Sequence, residues 1–254
     1  MKKFLRITGI VLMALLVLSL SGFFIWASTP AAPDSKALQS LNDTPEVTFT
    51  ITNDWLVYTP ADQNPETGLI LYPGGRVDPR AYGPHAQGIA ADGFKVIIVP
   101  MPLNFAFLGI NRASQVIAAF PEIDQWAVGG HSLGGAMAVE FAKDNSQSVD
   151  GLVLWASYPA ENTDLSTLEL KTISIYATND GLASPEEVLS AQPRLPKGTE
   201  FTEITGGNHA GFGWYGSQNG DGDLEISKQE QQNQVVDATV GLLSKLEEGL
   251  GNQQ

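Results

Sequence analysis

From Ile7 to Trp26 the chain runs for 20 residues without a charge, directly behind Lys2, Lys3 and Arg6. As a helix rising about 1.5 Å per residue, that run spans a hydrocarbon core of roughly 30 Å. The basic flank sets the N-terminus in the cytoplasm and the remainder outside. The pattern predicts a signal anchor over residues 1–27. The rival is a secretory signal cleaved near Ala27, but such signals carry only about 7 to 15 apolar residues before a small-x-small site. Ile25-Trp26-Ala27 is a poor match to that site. The first reading gives a single-pass protein of the cell membrane with its domain on the extracytoplasmic side; the second gives a secreted one.

Residues 28–45, rich in Pro, Ala, Ser and Asp, show no apolar period and predict a linker that lifts the domain off the membrane. The folded domain is expected over residues 46–254. "VTFTITNDWLVYTP" alternates apolar and polar positions on either side of Asn53-Asp54, the pattern of a β-hairpin. The pattern then changes. "GLILYP", "FKVIIVP", "WAVGG", "GLVLWA" and "TISIYA" are short apolar runs without alternation, set apart by helix-length segments. Strands buried on both faces of a parallel sheet read this way, so the fold class is α/β. Helices are expected at Pro79 to Ala91, Asn111 to Ala119, Ser132 to Lys143 and Pro185 to Ala191, with a longer one near Glu230 to Leu246.

At 254 residues and 43% hydrophobic composition, the chain suffices for one α/β domain with a full core. The formal net charge is −14, and no acid precedes Asp34, so the part beyond the first segment is more acidic still. Such a field repels phosphate backbones, and no basic cluster offsets it, so nucleic acid is not an expected partner. The absence of cysteine removes disulfides, thiolate metal sites and a cysteine nucleophile together.

Gly130-His131-Ser132-Leu133-Gly134 reads G-x-S-x-G between the strand-like "WAV" and the helix-like "AMAVEFA". A nucleophile elbow requires that context: a sharp strand-to-helix turn exposes the serine, and small neighbours let the backbone pass closely. A phosphate-binding loop would need Lys and Ser/Thr after the last glycine, whereas Ala136-Met137 follows Gly135. A serine is a weak nucleophile without a base, so a histidine is expected later, with a carboxylate between the two. Of the three histidines, His131 sits inside the elbow and His85 lies upstream, which leaves His209 in "EITGGNHAGFG". Asp180, just past "TISIYA", is the carboxylate that would orient it; Asp164 is the next candidate but follows no strand closely. A tetrahedral intermediate also needs two donors for its oxyanion. The Leu133 N–H is one, and the Gly75 N–H in the "PGG" turn is the other.

"LILYPGGRVDPRAY", "VIIVPMPLNFA", "GGHSLGGAMA", "TNDGL" and "GGNHAGFGWYG" together resemble the α/β-hydrolase superfamily. The closer likeness is to its small dienelactone-hydrolase-like group, here with a serine nucleophile. The resemblance covers Glu46 to about Leu246. It implies the α/β-hydrolase fold, a mostly parallel eight-stranded sheet with helices on both faces, and carries Ser132, Asp180 and His209 over as a triad. Dienelactone hydrolases proper use cysteine where Ser132 stands, so their substrate is not inherited. Lids in this superfamily commonly follow the sixth strand, and here only Ser157 to Lys171 intervene, so no large cap domain is expected. No cofactor is expected either.

An open mouth could take apolar walls from Phe105, Phe107, Phe212, Trp214 and Tyr215. With an acidic field that disfavours polyanions, the expected substrate is a neutral small ester or related acyl compound. "NGDGDLEISKQE" partly matches a calcium loop through Asn219, Asp221, Asp223 and Glu230, but Leu224 stands where glycine should make the turn. A solvated, turn-rich loop is the competing reading, and no metal is expected. The expected protein is a membrane-anchored extracytoplasmic serine hydrolase, carboxylesterase-like, with the membrane and a small acyl substrate as its partners. An acyltransferase with the same triad and a non-catalytic anchored binding protein on this fold remain open.

Overall fold

The five apolar runs become interior strands of one sheet. The computed structural model describes residues 2–251. Helices α1 (Lys2–Ala27) and α2 (Ser35–Gln39) precede strands β1 (Val47–Thr52), β2 (Trp55–Pro60) and β3 (Thr67–Tyr72). Next come α3 (Gly83–Ala91), β4 (Lys95–Ile98), α4 (Arg112–Ala119), β5 (Gln125–His131) and α5 (Leu133–Asp144). The chain closes with β6 (Gly151–Trp155), β7 (Lys171–Ala177), α6 (Pro185–Ser190), β8 (Glu200–Ile204) and α7 (Lys228–Gly251). The eight strands lie in the order β1-β2-β4-β3-β5-β6-β7-β8. Only the β1–β2 and β2–β4 pairs are antiparallel.

Every residue of β3, β4 and β6 is buried, which is why these strands show no polar alternation. The β1–β2 hairpin turns where expected, with Asn53 and Asp54 at φ 52° and 70°, the left-handed pair a two-residue turn needs. Helices α3 and α7 cover one face, over Tyr58 and Trp155 of the sheet; α4 and α5 cover the other, over Ile70, Val128 and Leu152. The expected helix at Pro79 begins as a 3-10 turn, Pro79–Tyr82, and becomes α-helical at Gly83. The last helix is longer than its sequence pattern, running from Lys228. Between β6 and β7 the chain makes only turns, so no large cap covers the sheet.

Residues 28–45 are docked on the domain rather than extended as a spacer. Asp34 caps α2 by accepting from the Lys36 and Ala37 N–H groups. Bridges join Ala31 to Val77 and Pro33 to Tyr215, and the Asp34 N–H donates to the Trp214 carbonyl at 2.9 Å. The end of α1 is held as well: Ala27 is fully buried, and its carbonyl accepts from Asn104 Nδ2 at 2.8 Å. The Arg76 guanidinium stacks 4.0 Å from the Trp26 ring centroid and donates to the Trp26 and Thr29 carbonyls.

His85, on α3, is fully buried, and neither ring nitrogen has a hydrogen-bond partner. Burial, reinforced by the positive charge of Lys228, pushes its pKa down from 6.5 to about 3. Below pH 6.5 the unfolded chain takes up a proton that the folded chain refuses. Stability is therefore highest above that pH and falls as pH drops toward 3, by up to about 1.4 kcal/mol per pH unit. Urea unfolding from pH 7 to pH 5 is expected to register this loss, and His85→Leu to flatten it. Identical slopes in the two proteins would show that His85 is not responsible.

Candidate active site

One residue turns the chain from β5 into α5. Ser132 makes that turn at φ 53° and ψ −123°, a strained conformation for any side chain. Its backbone is pinned on both sides. The N–H donates to the Trp155 carbonyl at 3.0 Å, and its carbonyl accepts from the Ala136 N–H at 3.0 Å and Ser157 Oγ at 2.8 Å. The flanking glycines are required by approach: a Cβ on Gly130 would lie 2.6 Å from the Tyr72 carbonyl oxygen, and one on Gly134 would strike the Tyr72 and Pro73 carbonyls. The turn therefore sits against the end of β3, where Tyr72 pairs with Gly130. From β3 the chain crosses first to β4 on one side and then to β5 on the other. Sheets of this kind bind ligands at such a reversal, beyond the carboxyl ends of the strands.

Two neighbouring strand ends supply the acid and the imidazole. Past β7, Asp180 Oδ2 lies 2.8 Å from Nδ1 of His209, which follows β8, and both side chains are essentially inaccessible. The other carboxylate oxygen accepts from the Leu182 and Ala183 N–H groups at 2.8 and 2.7 Å. A carboxylate can only accept, so Nδ1 carries the hydrogen, and in the neutral ring this leaves the Nε2 lone pair free. Nε2 is buried without a hydrogen-bond partner. The structure makes no Ser132–His209 hydrogen bond, although the His131 ring, next to Ser132 in the chain, lies 4.5 Å from that of His209. Catalytic hydrogen bonds are often long before substrate arrives.

The two backbone donors expected for an oxyanion come together. A Cβ on Gly75 would lie 3.1 Å from Leu133 Cδ2, so the "PGG" turn borders the start of α5. Among the described residues, neither the Gly75 nor the Leu133 N–H has a hydrogen-bond acceptor. Leu133 is the first residue of a helix, whose N–H groups point outward unpaired and favour negative charge.

Three supporting residues were not apparent from the sequence pattern. Tyr82 Oη accepts from the Gly74 N–H at 2.9 Å and lies 2.8 Å from Nδ1 of His131. Burial, then the neighbouring His209, lowers the His131 pKa, so His131 is neutral and can accept the phenol hydrogen. This chain ties the turn after β3 to the end of β5. Asp221 does the same for the other loops, accepting from the His209 and Ala210 N–H groups at 3.0 and 2.8 Å and from Gly181 at 3.4 Å. No spacing rule marks these residues, because each acts across a gap between strands.

The segment that partly matches a calcium loop is arranged differently. Asp221 spends both oxygens on backbone N–H groups, and Asp223 and Glu230 do not join it in a cluster. Among the described residues, no three His, Asp or Glu side chains are grouped to hold a metal. Of the expected aromatic walls, Phe105 is partly exposed and Phe107 50% exposed, and Trp214 is partly exposed with Nε1 bonded to Gln232. Tyr215 and Phe212 are corrected: both are core residues, 2% and 0% exposed, and Pro33 bridges to Tyr215 from outside. A cavity of about 750 Å³ opens far from these groups, among Leu170, Lys171 and Lys197 at the opposite end of β7.

The sequence matches the alpha/beta hydrolase family over residues 68–233, which take in the elbow, Asp180 and His209. The chain belongs to the alpha/beta hydrolase family. Its members are generally hydrolytic enzymes, and the eight-stranded, mostly parallel sheet is that of the family. The match does not reach the narrower dienelactone-hydrolase-like group. No curated protein matches the chain. Within this alpha/beta hydrolase, α1 is long and apolar enough to cross a membrane.

Proposed function

We propose that this alpha/beta hydrolase is a serine hydrolase that cleaves a neutral ester through an acyl-enzyme, held at the membrane by α1. The observation that carries the reading is the buried Asp180–His209 pair, with a free Nε2, in the loops beside a strained, pinned Ser132. In this reading Nε2 takes the Ser132 hydroxyl proton as Oγ bonds to the ester carbonyl carbon. The Gly75 and Leu133 N–H groups receive the oxyanion. The intermediate collapses by breaking the bond to the alcohol oxygen, and His209 returns the proton to that oxygen. Water, deprotonated by the same Nε2, then attacks the acyl-enzyme and releases the acid.

Retention of α1 is supported by the contacts at its end. Cleavage after Ala27 would remove the Trp26 and Ala27 carbonyls that Arg76 and Asn104 bind and the ring that Arg76 covers. A fluorophosphonate probe tests the chemistry directly, because it phosphonylates only an activated serine. Stoichiometric labelling of the folded full chain at Ser132 is the expected result. A folded protein that stays unlabelled would favour a non-catalytic binding protein on the same fold.

A further inference from the structure

The end of α1 is built into the turn that carries the oxyanion donor. Trp26 closes the apolar run, so it sits at the level where the bilayer meets water, as tryptophans at such positions do. Arg76, which clamps Trp26 at its ring and its carbonyl, is the residue after Gly75. The loop after β4 also reaches the same tryptophan. Phe105 is 5.8 Å from Trp26 between ring centroids, and Phe107 is 5.2 Å from Phe105. Phe107 and Leu108 remain 50% and 48% exposed, even with α1 in place. Two adjacent large apolar side chains left bare beside a membrane-level tryptophan have one natural medium, the apolar edge of the bilayer. Residues 28–45 reinforce this, since they fold back on the domain instead of spacing it from the membrane.

We propose that the loop from Pro102 to Leu108 sits in the bilayer interface beside α1, and that the substrate is a neutral, long-chain acyl ester taken from the membrane. This rests on the serine-hydrolase reading and on a retained anchor. The ester group of a membrane amphiphile lies at the boundary between headgroup and acyl chain, the same level as Trp26, and so level with the Gly75–Arg76 turn. Such a molecule need not leave the membrane completely to reach Ser132, and its acyl chain can stay against Phe105 and Phe107. Hydrolysis consumes one water and yields a fatty acid and an alcohol. The preference for an uncharged headgroup follows from the net charge of −14.

The chain has no cysteine, so Leu108→Cys provides a unique attachment point for an environment-sensitive fluorophore. With the full chain in phosphatidylcholine vesicles, the label at this position is expected to shift to the blue and to be quenched by lipids brominated near the headgroup. The same label at Ile51→Cys, on the exposed edge strand, is expected to show neither effect. In parallel, the wild type is assayed on mono-oleoylglycerol in the vesicles and on a water-soluble butyrate ester. Leu108→Asp is expected to lower the vesicle rate at least about tenfold, while fluorophosphonate labelling keeps its wild-type rate. An unquenched label at position 108, or turnover of the soluble ester alone, would overturn the interfacial proposal and leave the serine-hydrolase reading standing. Failure of the wild type to label with fluorophosphonate would overturn that reading, and the substrate assignment with it.

Discussion

Ser132→Ala is expected to abolish fluorophosphonate labelling and to lower kcat on a soluble ester by about 10⁴- to 10⁶-fold. His209→Ala is expected to cost nearly as much, and the double variant little more than the worse single one. The reason is that one event is being removed twice. In the proposed mechanism Oγ becomes nucleophilic only as its proton passes to Nε2, so either loss deprives the other group of its task. The fold should survive the first change, because alanine keeps a Cβ at φ 53° and the bonds that pin position 132 all come from its backbone. Neither variant should lose all catalysis over water, since the Gly75 and Leu133 donors remain. Additive losses in the double variant, measured by single-turnover kinetics with unfolding midpoints alongside, would show that the two side chains act in separate steps.

Much of this site was legible because its chemistry constrains local sequence. A serine turned out between a strand and a helix needs glycines where carbonyls pass within bonding reach, and those glycines are visible at Gly130 and Gly134. With three histidines in the chain, order and strand context point to His209, and the structure pairs it with Asp180. The fold was legible for a related reason: strands buried on both faces cannot hide their composition. What escaped depends on contacts between distant segments. Residues 28–45 have the composition of a linker, yet they dock, because the groups that hold their start, Arg76 and Val77, lie far along the chain. Asp221 resembled a calcium ligand because Asp, Asn and Gly serve metal loops and backbone-bonded turns equally well. Tyr215 follows Trp214 in the chain, and no pattern over so few residues says which of two aromatics turns inward.

The largest expected effect from a single-atom exchange is at Asp180, and the hydrogen bonds around it dictate its sign. Asp180→Asn replaces one carboxylate oxygen by an NH₂ group. One oxygen of Asp180 accepts from the Leu182 and Ala183 N–H groups, so the amide oxygen must stay on that side, where an NH₂ would oppose two donors. The NH₂ then faces His209 Nδ1 and can only donate to it. Nδ1 becomes the acceptor, the ring hydrogen moves to Nε2, and the base loses the lone pair that should take the serine proton. A loss of about 10⁴-fold in kcat is expected, with the unfolding midpoint close to that of the wild type because three hydrogen bonds are still made. Asp180→Ala removes all three and is expected to destabilise the loop as well, which separates the electronic role from the structural one. Near-normal turnover by a folded Asp180→Asn protein would mean that this carboxylate only shapes the loop, and that the tautomer of His209 is set by something else.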